Sequence, residues 1–533
     1  MSKNVSSQTL QHTVELKILE KKDDLKKMFH PMHVPKDELQ GNDKRPSLEN
    51  VLDSLLDFEK LKHCNGCGIC TGSCPIAKIL PEYYNPRILL HSLPLGDDKI
   101  LKSPQLWLCA WCYRCYRRCP QSLNLPEIFQ VVRRFAVECG YMEGFHKALN
   151  IIRKYLPFPV SCSYVCFHPE RVIKNRQIVS GAIQQSILTS DSEPNKEQHV
   201  NHTSKKVAII GSGPAGLSAA NDLAKKGHSI TVFEALPSPG GMLRRCIPKY
   251  RLPKKFVDFD IMRIKDLGVE IKTNNPIGRT LKVKKLLEEG YDAIFVATGA
   301  HEDQNFNIQG EKLNGVFHAL DFLEKTNTKN VEQLNTVSII GGGNVAVDSA
   351  RTALRLGAKD VTILYRRSKE EIPASPWEIK EAVKEGVKIE FLVSPKRILG
   401  ENGNVTKLEC IKMELGEQNV TGRKRPVPIR GSEFTIPTDS VIMAVGQFPN
   451  TIFLPKTVEI TKQKTIATDP FTLETSSPSI FAGGDAVIGS GTLIEAILAG
   501  KQAAFSIDYY LRGIPLDPLE IAEKAFGREN DEI

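Results

Sequence analysis

Residues 205–235, KKVAIIGSGPAGLSAANDLAKKGHSITVFEA, decide the fold. The first apolar run, VAII, is short and unbroken, which suits a strand buried on both faces of a parallel sheet. A glycine turn follows, Gly211-x-Gly213-x-x-Gly216, then a helical stretch, then a second apolar run that ends at Glu234. Strand, glycine turn, helix and strand make a βαβ unit with a dinucleotide fingerprint. The glycines let the backbone approach a pyrophosphate at a helix N-terminus. Glu234 stands where a carboxylate accepts hydrogen bonds from ribose hydroxyls, so an unphosphorylated ribose is implied, as in FAD or NAD.

The plan repeats at 335–367, NTVSIIGGGNVAVDSARTALRLGAKDVTILYRR. Gly341, Gly343 and Ala346 take the fingerprint positions, and Asn344 opens the helix. Arg366 and Arg367 stand where the first unit has its carboxylate. Arginine there suits a 2′-phosphate, so NADPH is expected; NADH is the alternative if both arginines only line a solvated face. Near the C-terminus, SIFAGGDAV is a buried strand ending in Gly484-Asp485, and GSGTLIEAILAGKQAAFSIDYYL is a helix opening near Thr492. An aspartate at such a strand end suits flavin ribityl or phosphate-linked hydroxyls. A helix N-terminus there can face the flavin N1–C2=O edge. The plain alternative is a strand–turn–helix packing unit. Alternation of strand and helix argues for parallel α/β sheets.

Upstream the chemistry changes. Of thirteen cysteines, eight form two identical runs: Cys64-x2-Cys67-x2-Cys70-x3-Cys74-Pro75 and Cys109-x2-Cys112-x2-Cys115-x3-Cys119-Pro120. Both match the bacterial ferredoxin spacing, in which the fourth cysteine ligates the other cluster. That rule predicts one [4Fe–4S] cluster on Cys64, Cys67, Cys70 and Cys119 and another on Cys109, Cys112, Cys115 and Cys74. Two zinc sites are the alternative, but two repeated runs ending in Cys-Pro favour iron–sulfur. Arg114, Arg117 and Arg118 sit among the second set of ligands, either raising that cluster's potential or facing an acidic partner. Between and after the runs, LPEYYNPRILLHSLPL and LPEIFQVVRRFAVECG have helical spacing.

Bulk properties agree. The 533 residues are 41% hydrophobic and 25% charged, ordinary for a globular chain of several domains. No apolar stretch approaches the roughly 18–20 residues of a membrane span, and the polar N-terminus lacks a secretory h-region. Arrayed cysteines in a large chain point to metal rather than disulfides. These features predict a cytoplasmic protein with no transmembrane segment. A net charge of +9 without arginine-rich tracts argues against nucleic-acid binding.

Two resemblances follow from quoted strings. Residues 205–515 resemble the glutamate synthase small-subunit family, which includes the flavin half of dihydropyrimidine dehydrogenase. The strings are VAIIGSGPAGLSAA, PGGMLRRCIPKYRLP, YDAIFVATGA, IIGGGNVAVDSAR, YRRSKEEIPA and IFAGGDAVIGSGTLIEAILAGKQAA. The resemblance implies FAD at Gly211, Gly213, Gly216, Glu234, Gly241, Gly484, Asp485 and Thr492. It implies NAD(P)H at Gly341, Gly343, Asn344, Ala346, Arg366 and Arg367. Residues 46–150 resemble the C subunit of heterodisulfide reductase and related helical ferredoxins, through CNGCGICTGSCP and LWLCAWCYRCYRRCP. One departure stands out. The glutamate synthase family places a VC-x-x-PCE-x-x-C-x-R pattern before the flavin unit; here VCFHPERVIKNR keeps only Cys166. Cys162 and Cys166 are therefore read as thiols rather than ligands. Cys246, where that family often has glycine, is a redox candidate.

The expected fold is an α/β flavoprotein of two dinucleotide-binding domains, with an N-terminal all-α helical ferredoxin domain. The expected divisions are a flexible tail (1–45), the ferredoxin (46–155), a linker (156–204), the FAD domain (205–327 and 437–515), an inserted NAD(P)H domain (328–436) and a C-terminal tail (516–533). The expected function is an NAD(P)H-dependent oxidoreductase carrying FAD and two [4Fe–4S] clusters. It exchanges electrons with a partner subunit in a hetero-oligomeric complex, of heterodisulfide reductase-like or electron-bifurcating type. No catalytic side chain is assigned. The alternatives are a glutamate synthase small subunit and a non-catalytic electron-transfer scaffold.

Overall fold

The computed structural model describes residues 64–93, 98–173, 175–188, 205–279, 281–304, 306–328, 334–418 and 423–515. They fall into two compact units, 64–188 and 205–515. The expected tails at 1–45 and 516–533 lie outside the described residues.

The first unit is helical. Asn85 caps helix α1 (Pro86–Ser92), its side chain accepting from the Arg87 and Ile88 amides, with proline at the first turn. Helix α2 (Arg114–Arg118) leads into the last cysteine of the second run. Helices α3 (Leu125–Glu138) and α4 (Glu143–Tyr155) follow. Leu125, Ile128, Phe129, Val132, Phe135 and Ala136 of α3 are buried, at the three- and four-residue spacing of one helix face. Residues 156–188 correct the expected linker: they fold into helices at Pro159–Val165 and Arg176–Ile183 and bury Phe158, Val160, Ile173 and Val179. Prolines 157, 159 and 169 cut this stretch into pieces too short to show a helical period. The rest of the expected linker, 189–204, lies outside the described residues.

The second unit contains strands β1 (Lys206–Ile210), β2 (Ser229–Phe233), β3 (Glu270–Lys272), β4 (Ala293–Val296), β5 (Glu302–Asp303), β6 (Val316–His318), β7 (Thr336–Ile340) and β8 (Asp360–Tyr365). It continues with β9 (Lys388–Phe391), β10 (Val393–Glu401), β11 (Asn404–Gln418), β12 (Lys424–Pro437), β13 (Ser440–Met443), β14 (Gln447–Phe448) and β15 (Ile480–Ala482). The first sheet has the order β15-β4-β1-β2-β3 and the second β6-β13-β7-β8-β9; all pairs in both are parallel. An antiparallel sheet β10-β11-β12 and a short β5–β14 pair complete the unit.

Helices α5 (Pro214–Lys225), α6 (Met242–Arg245), α7 (Ala319–Thr328), α8 (Asn344–Arg355), α9 (Pro376–Glu385) and α10 (Leu493–Leu511) connect or cover the sheets. α10 lies close on α5, because a Cβ at Gly500 would stand 2.2 Å from the Ala215 carbonyl oxygen. The second sheet draws in more chain than its expected limits of 328–436. Val316–His318 pairs with β13 (Val441 opposite Val316), and Ala319, Leu320, Phe322 and Leu323 of α7 pack in its core. Strands of three or four residues are too short to announce a sheet by periodicity, so the sequence alone leaves them within the expected FAD domain.

Candidate cluster and dinucleotide sites

The first cysteine site is assembled from both runs. Cys64, Cys67, Cys70 and Cys119 line one cavity, with Arg87, Leu90, Leu123 and Leu125 on its wall. Cys67 is exposed. The second set converges elsewhere. The Cys115 thiol is pushed far above its ordinary value by burial and then by Cys109, Cys112 and Cys74. Burial, then Cys112, does the same to Cys74, and burial carries Cys112 up to about 11. Each of these shifts records thiols crowded in a dry pocket, where protons must leave as a metal arrives. Among the described residues no group of three or more His, Cys, Asp or Glu is arranged around a single metal ion. Four thiols around a cavity fit a group larger than one ion, as a cube of iron and sulfide is. Both donor sets fit [4Fe–4S] clusters, with Cys74 and Cys119 exchanged.

The backbone explains how each run wraps a site. Gly66 and Gly68 have φ of 63° and 77°; at the matching positions of the second run, Trp111 and Tyr113 have φ of 50° and 58°. Trp111 and Tyr113 are buried, and Tyr113 Oη donates to Glu127 at 2.6 Å.

The two glycine turns share one geometry. Gly213 and Gly343, each extended, precede α5 and α8. Gly211 (φ 106°) and Gly341 (φ 138°) lie against the ends of neighbouring strands: a Cβ would stand 2.5 Å from the Ala297 oxygen and 2.2 Å from the Ala444 oxygen. Both twelve-residue helices therefore offer free N-terminal amides beside a surface cleared of side chains.

Around α5 the structure gathers the residues expected to hold FAD. A Cβ at Gly241 would lie 2.7 Å from the Gly213 Cα, and one at Gly484 would lie 2.9 Å from the Ala215 Cβ. Gly216 packs against the Gly211 carbonyl. Glu234 is buried; it accepts from the Ser212 amide at 3.1 Å, the Leu236 amide at 2.8 Å and the Ser212 hydroxyl. Asp485 accepts from the Gly491 amide at 3.2 Å, and burial raises its carboxyl to about 6. Thr492 caps α10 in a capping box with Glu495. Thr298, beside the Gly211 turn, buries a hydroxyl oxygen with no hydrogen-bond partner. The cleared turn, the buried carboxylate and that orphaned hydroxyl fit a dinucleotide with a free ribose. Ser212 escaped the sequence reading, because a serine inside a glycine fingerprint is an ordinary filler until its bond to Glu234 is seen.

Around α8, Asn344 accepts from the Ser375 amide at 3.0 Å, and Ala346 is buried. Gly342 lies against the Tyr365 ring, so close that a Cβ would stand 2.5 Å from it. Arg366 is exposed, and Arg367 Nε donates to the Lys424 oxygen at 3.0 Å. A third guanidinium joins them: Arg423, which donates to the Tyr365 hydroxyl and the Glu371 oxygen, each at 3.1 Å. Burial, then Arg367 and Arg423, lower the Arg366 guanidinium from its ordinary value. Three crowded cations fit a phosphate. Arg423 lies far from the motif in sequence, and no local pattern marks it.

Cys246 is buried with the core of the second sheet, and burial pushes its thiol up to about 12. Cys162 and Cys166 are buried in the helical core of the first unit.

The described residues contain no helix long and apolar enough to cross a membrane. Residues 205–503 match the family model of pyridine nucleotide-disulphide oxidoreductases, and residues 60–123 match that of a 4Fe-4S dicluster domain. The beta subunit of the NADP(+)-dependent formate dehydrogenase of Moorella thermoacetica is 38% identical, over 75% of this chain and 60% of that protein. The beta subunit of the NADPH-Fe(3+) oxidoreductase of Geobacter sulfurreducens is 36% identical, over 74% of this chain and 63% of that one. The glutamate synthase [NADPH] small chain of Escherichia coli is 38% identical, over 58% and 70%. The chain thus spans about three fifths of the formate dehydrogenase and iron-reductase subunits. Mycobacterium tuberculosis FprA shares the fold of the second unit, with a TM-score of 0.52 and 19% identity over 60% of this chain and 90% of FprA. The heterodisulfide reductase likeness stands on the quoted strings alone.

Proposed function

Because the chain belongs to the pyridine nucleotide-disulphide oxidoreductase family, we propose that it passes electrons between NADPH, FAD and two [4Fe–4S] clusters, to or from a partner subunit. One observation carries this reading: two glycine turns of the same geometry end on opposite ribose chemistry, Glu234 in one and three arginines in the other. Both relatives named as beta subunits, and the small chain of glutamate synthase, are parts of assemblies, which supports a partner subunit here.

Bound flavin supplies the exchange between a hydride and single electrons, and bound clusters carry the single electrons. The chain's own residues do the rest. Glu234, held by two backbone amides and Ser212, is oriented to accept from ribose hydroxyls. The N-terminal amides of α5 and α8 receive pyrophosphate oxygens. Arg366, Arg367 and Arg423 select a 2′-phosphate by charge-assisted hydrogen bonds. Asp485 stands at the strand end, where it can meet ribityl hydroxyls. The Thr492–Glu495 box fixes the first turn of α10, so its positive end keeps one direction. Cys74 and Cys119 each serve the other run, which ties both sites into one folding unit. Eight arrayed cysteines needed as thiolate ligands suit a reducing compartment, which supports the cytoplasm.

The purified chain should carry a flavin spectrum; its absence sinks the proposal. Arg366→Ala, Arg367→Ala and Arg423→Ala test the nucleotide. A charge-assisted hydrogen bond is worth about 1.5–3 kcal/mol, so each loss should weaken NADPH by roughly 10- to 100-fold and leave NADH little changed. Equal weakening of both nucleotides would show the arginines to be scaffolding. Delivery to a glutamine-dependent large subunit is the second reading, favoured by the 70% coverage of the small chain. Co-purification from the native host separates the two by the identity of the bound subunit.

A further inference from the structure

The first unit buries one guanidinium completely. Arg133, on α3, is 0% exposed. Its Nε donates to the Leu106 oxygen at 2.6 Å, its Nη1 to the Phe167 oxygen at 3.2 Å and its Nη2 to the Cys109 oxygen at 2.9 Å. All three acceptors are neutral carbonyls. The rings of Trp107 and Trp111 lie 5.5 and 5.9 Å from its centre. Carbonyls and ring faces satisfy the donors but leave a net charge in a dry core, which is costly without an anion nearby. The ionisable groups that face it are the Cys109 thiol and the Tyr84 hydroxyl. Tyr84 is itself buried and faces Cys109, Cys74 and Cys115. Its hydroxyl, protonated at neutral pH, turns a dipole rather than a charge on those sulfurs. The first site is furnished differently. Its cavity carries Arg87, an exposed cation whose Nη1 donates to the Gly66 oxygen at 3.2 Å and whose charge water screens.

We propose that Arg133, with the Tyr84 hydroxyl beside it, is a buried counter-charge of the second cluster in addition to the more exposed Arg114, stabilising its reduced form and lifting its potential above the value that burial alone would give. This rests on the reading that Cys109, Cys112, Cys115 and Cys74 hold a [4Fe–4S] cluster. Reduction adds one electron and no proton, so the cluster and its thiolates become more negative by one charge. Burial opposes that change. A fixed cation on the backbone of one ligand and a hydroxyl dipole facing that ligand favour it. Arg133 and Tyr84 are positioning residues: they act through Cys109, and the quantity they set is a potential.

The test is an anaerobic redox titration of the full chain, followed by electron paramagnetic resonance. Signals are assigned with Cys119→Ser, which removes a ligand of the first site. Arg133→Gln should move the second cluster's midpoint to lower potential and leave the first unmoved. Arg133→Lys, which keeps the charge, should restore most of the wild-type value. Tyr84→Phe should give a smaller shift in the same direction. Unmoved midpoints in Arg133→Gln and Tyr84→Phe, or equal shifts at both clusters, overturn the proposal. Should Arg133→Gln fail to retain iron at the second site, retention by Arg133→Lys shows that the charge is required and supports it. Should both fail, Tyr84→Phe decides: a lowered second midpoint supports the proposal and an unmoved one overturns it. A wild-type chain holding about four irons rather than about eight defeats the two-cluster reading itself, before any variant is made.

Discussion

The runs Cys64–Cys74 and Cys109–Cys119 follow one backbone path and dress it with different side chains. At two turns the path needs left-handed backbone. The first run supplies Gly66 and Gly68; the second supplies Trp111 and Tyr113. A bulky residue in that region costs about 1–2 kcal/mol. Burying a large aromatic side chain returns roughly 1.5–3 kcal/mol. Both aromatic residues are buried; Tyr113 bonds Glu127 and Trp111 lies 5.1 Å from the Arg171 guanidinium. At those two positions burial outweighs strain. The glycine run leaves Cys67 exposed, while the aromatic run buries both rings and Cys109. One motif thus makes two sites that differ in water access, although their ligands have the same spacing.

The largest expected effect breaks the symmetry of the pair. Cys119 ends the second run yet lines the cavity of the first, and Cys74 does the converse. Cys119→Ser should therefore damage the first cluster and spare the second, with Cys74→Ser giving the reverse. Iron and acid-labile sulfide should fall from about eight to about four per chain in each case, given the cube stoichiometry. Resonance spectra identify the survivor. If Cys119→Ser destroys the second cluster instead, each run holds its own cluster and the exchange is wrong.

A middle-sized effect tests the buried aromatics. Trp111→Gly relieves left-handed strain of about 1–2 kcal/mol but removes a buried aromatic, a loss of about 3–5 kcal/mol in a packed core. The net expectation is a destabilisation of about 1–4 kcal/mol, from those two magnitudes. It should be read as an earlier loss of cluster absorbance in denaturant. The second cluster should also bleach faster in air, with the first unaffected. A more stable variant would mean that strain, not burial, dominates at this turn.

Much of this contrast was legible in the sequence, and the illegible parts have definite causes. The glycine turns and the positions of Glu234, Arg366 and Arg367 follow from motif spacing, and the ferredoxin rule makes the exchange of Cys74 and Cys119 an expectation. Arg133 was hidden by its charge. It sits four residues after Phe129 and three before Ala136, on the buried face of α3, but a lone arginine reads as a solvated position. Arg423 and Arg366 are brought together only when β12 folds beside the end of β8, a long-range contact that no local pattern carries. Residues 156–188 look like a linker in sequence because short proline-bounded helices show no period. Val316–His318 and Ser440–Met443 pair in the second sheet although they fall in the sequence limits expected for the FAD domain, because strands of three or four residues leave too little pattern to choose a partner.

The smallest expected effect sharpens the comparison from the glycine side. Gly68→Ala places a methyl group at φ 77°, and the nearest atom it meets is Arg87 Nη1 at 3.6 Å, an ordinary contact. Space is therefore not limiting, and the cost should be the backbone's alone, about 1–2 kcal/mol. The denaturant midpoint should fall slightly, with about eight irons still bound, the number two cubes require. Gly66→Ala should behave alike, since a Cβ there meets nothing within 4 Å. An aromatic residue at position 68 would suffer the same strain without a core to enter, because the rim of this site is open. It should destabilise more than alanine, whereas Tyr113 at the matching position is tolerated. If Gly68→Tyr proves no worse than Gly68→Ala, an aromatic needs no preformed pocket at this turn, and the rings of the second run are a matter of residue choice rather than of surrounding structure.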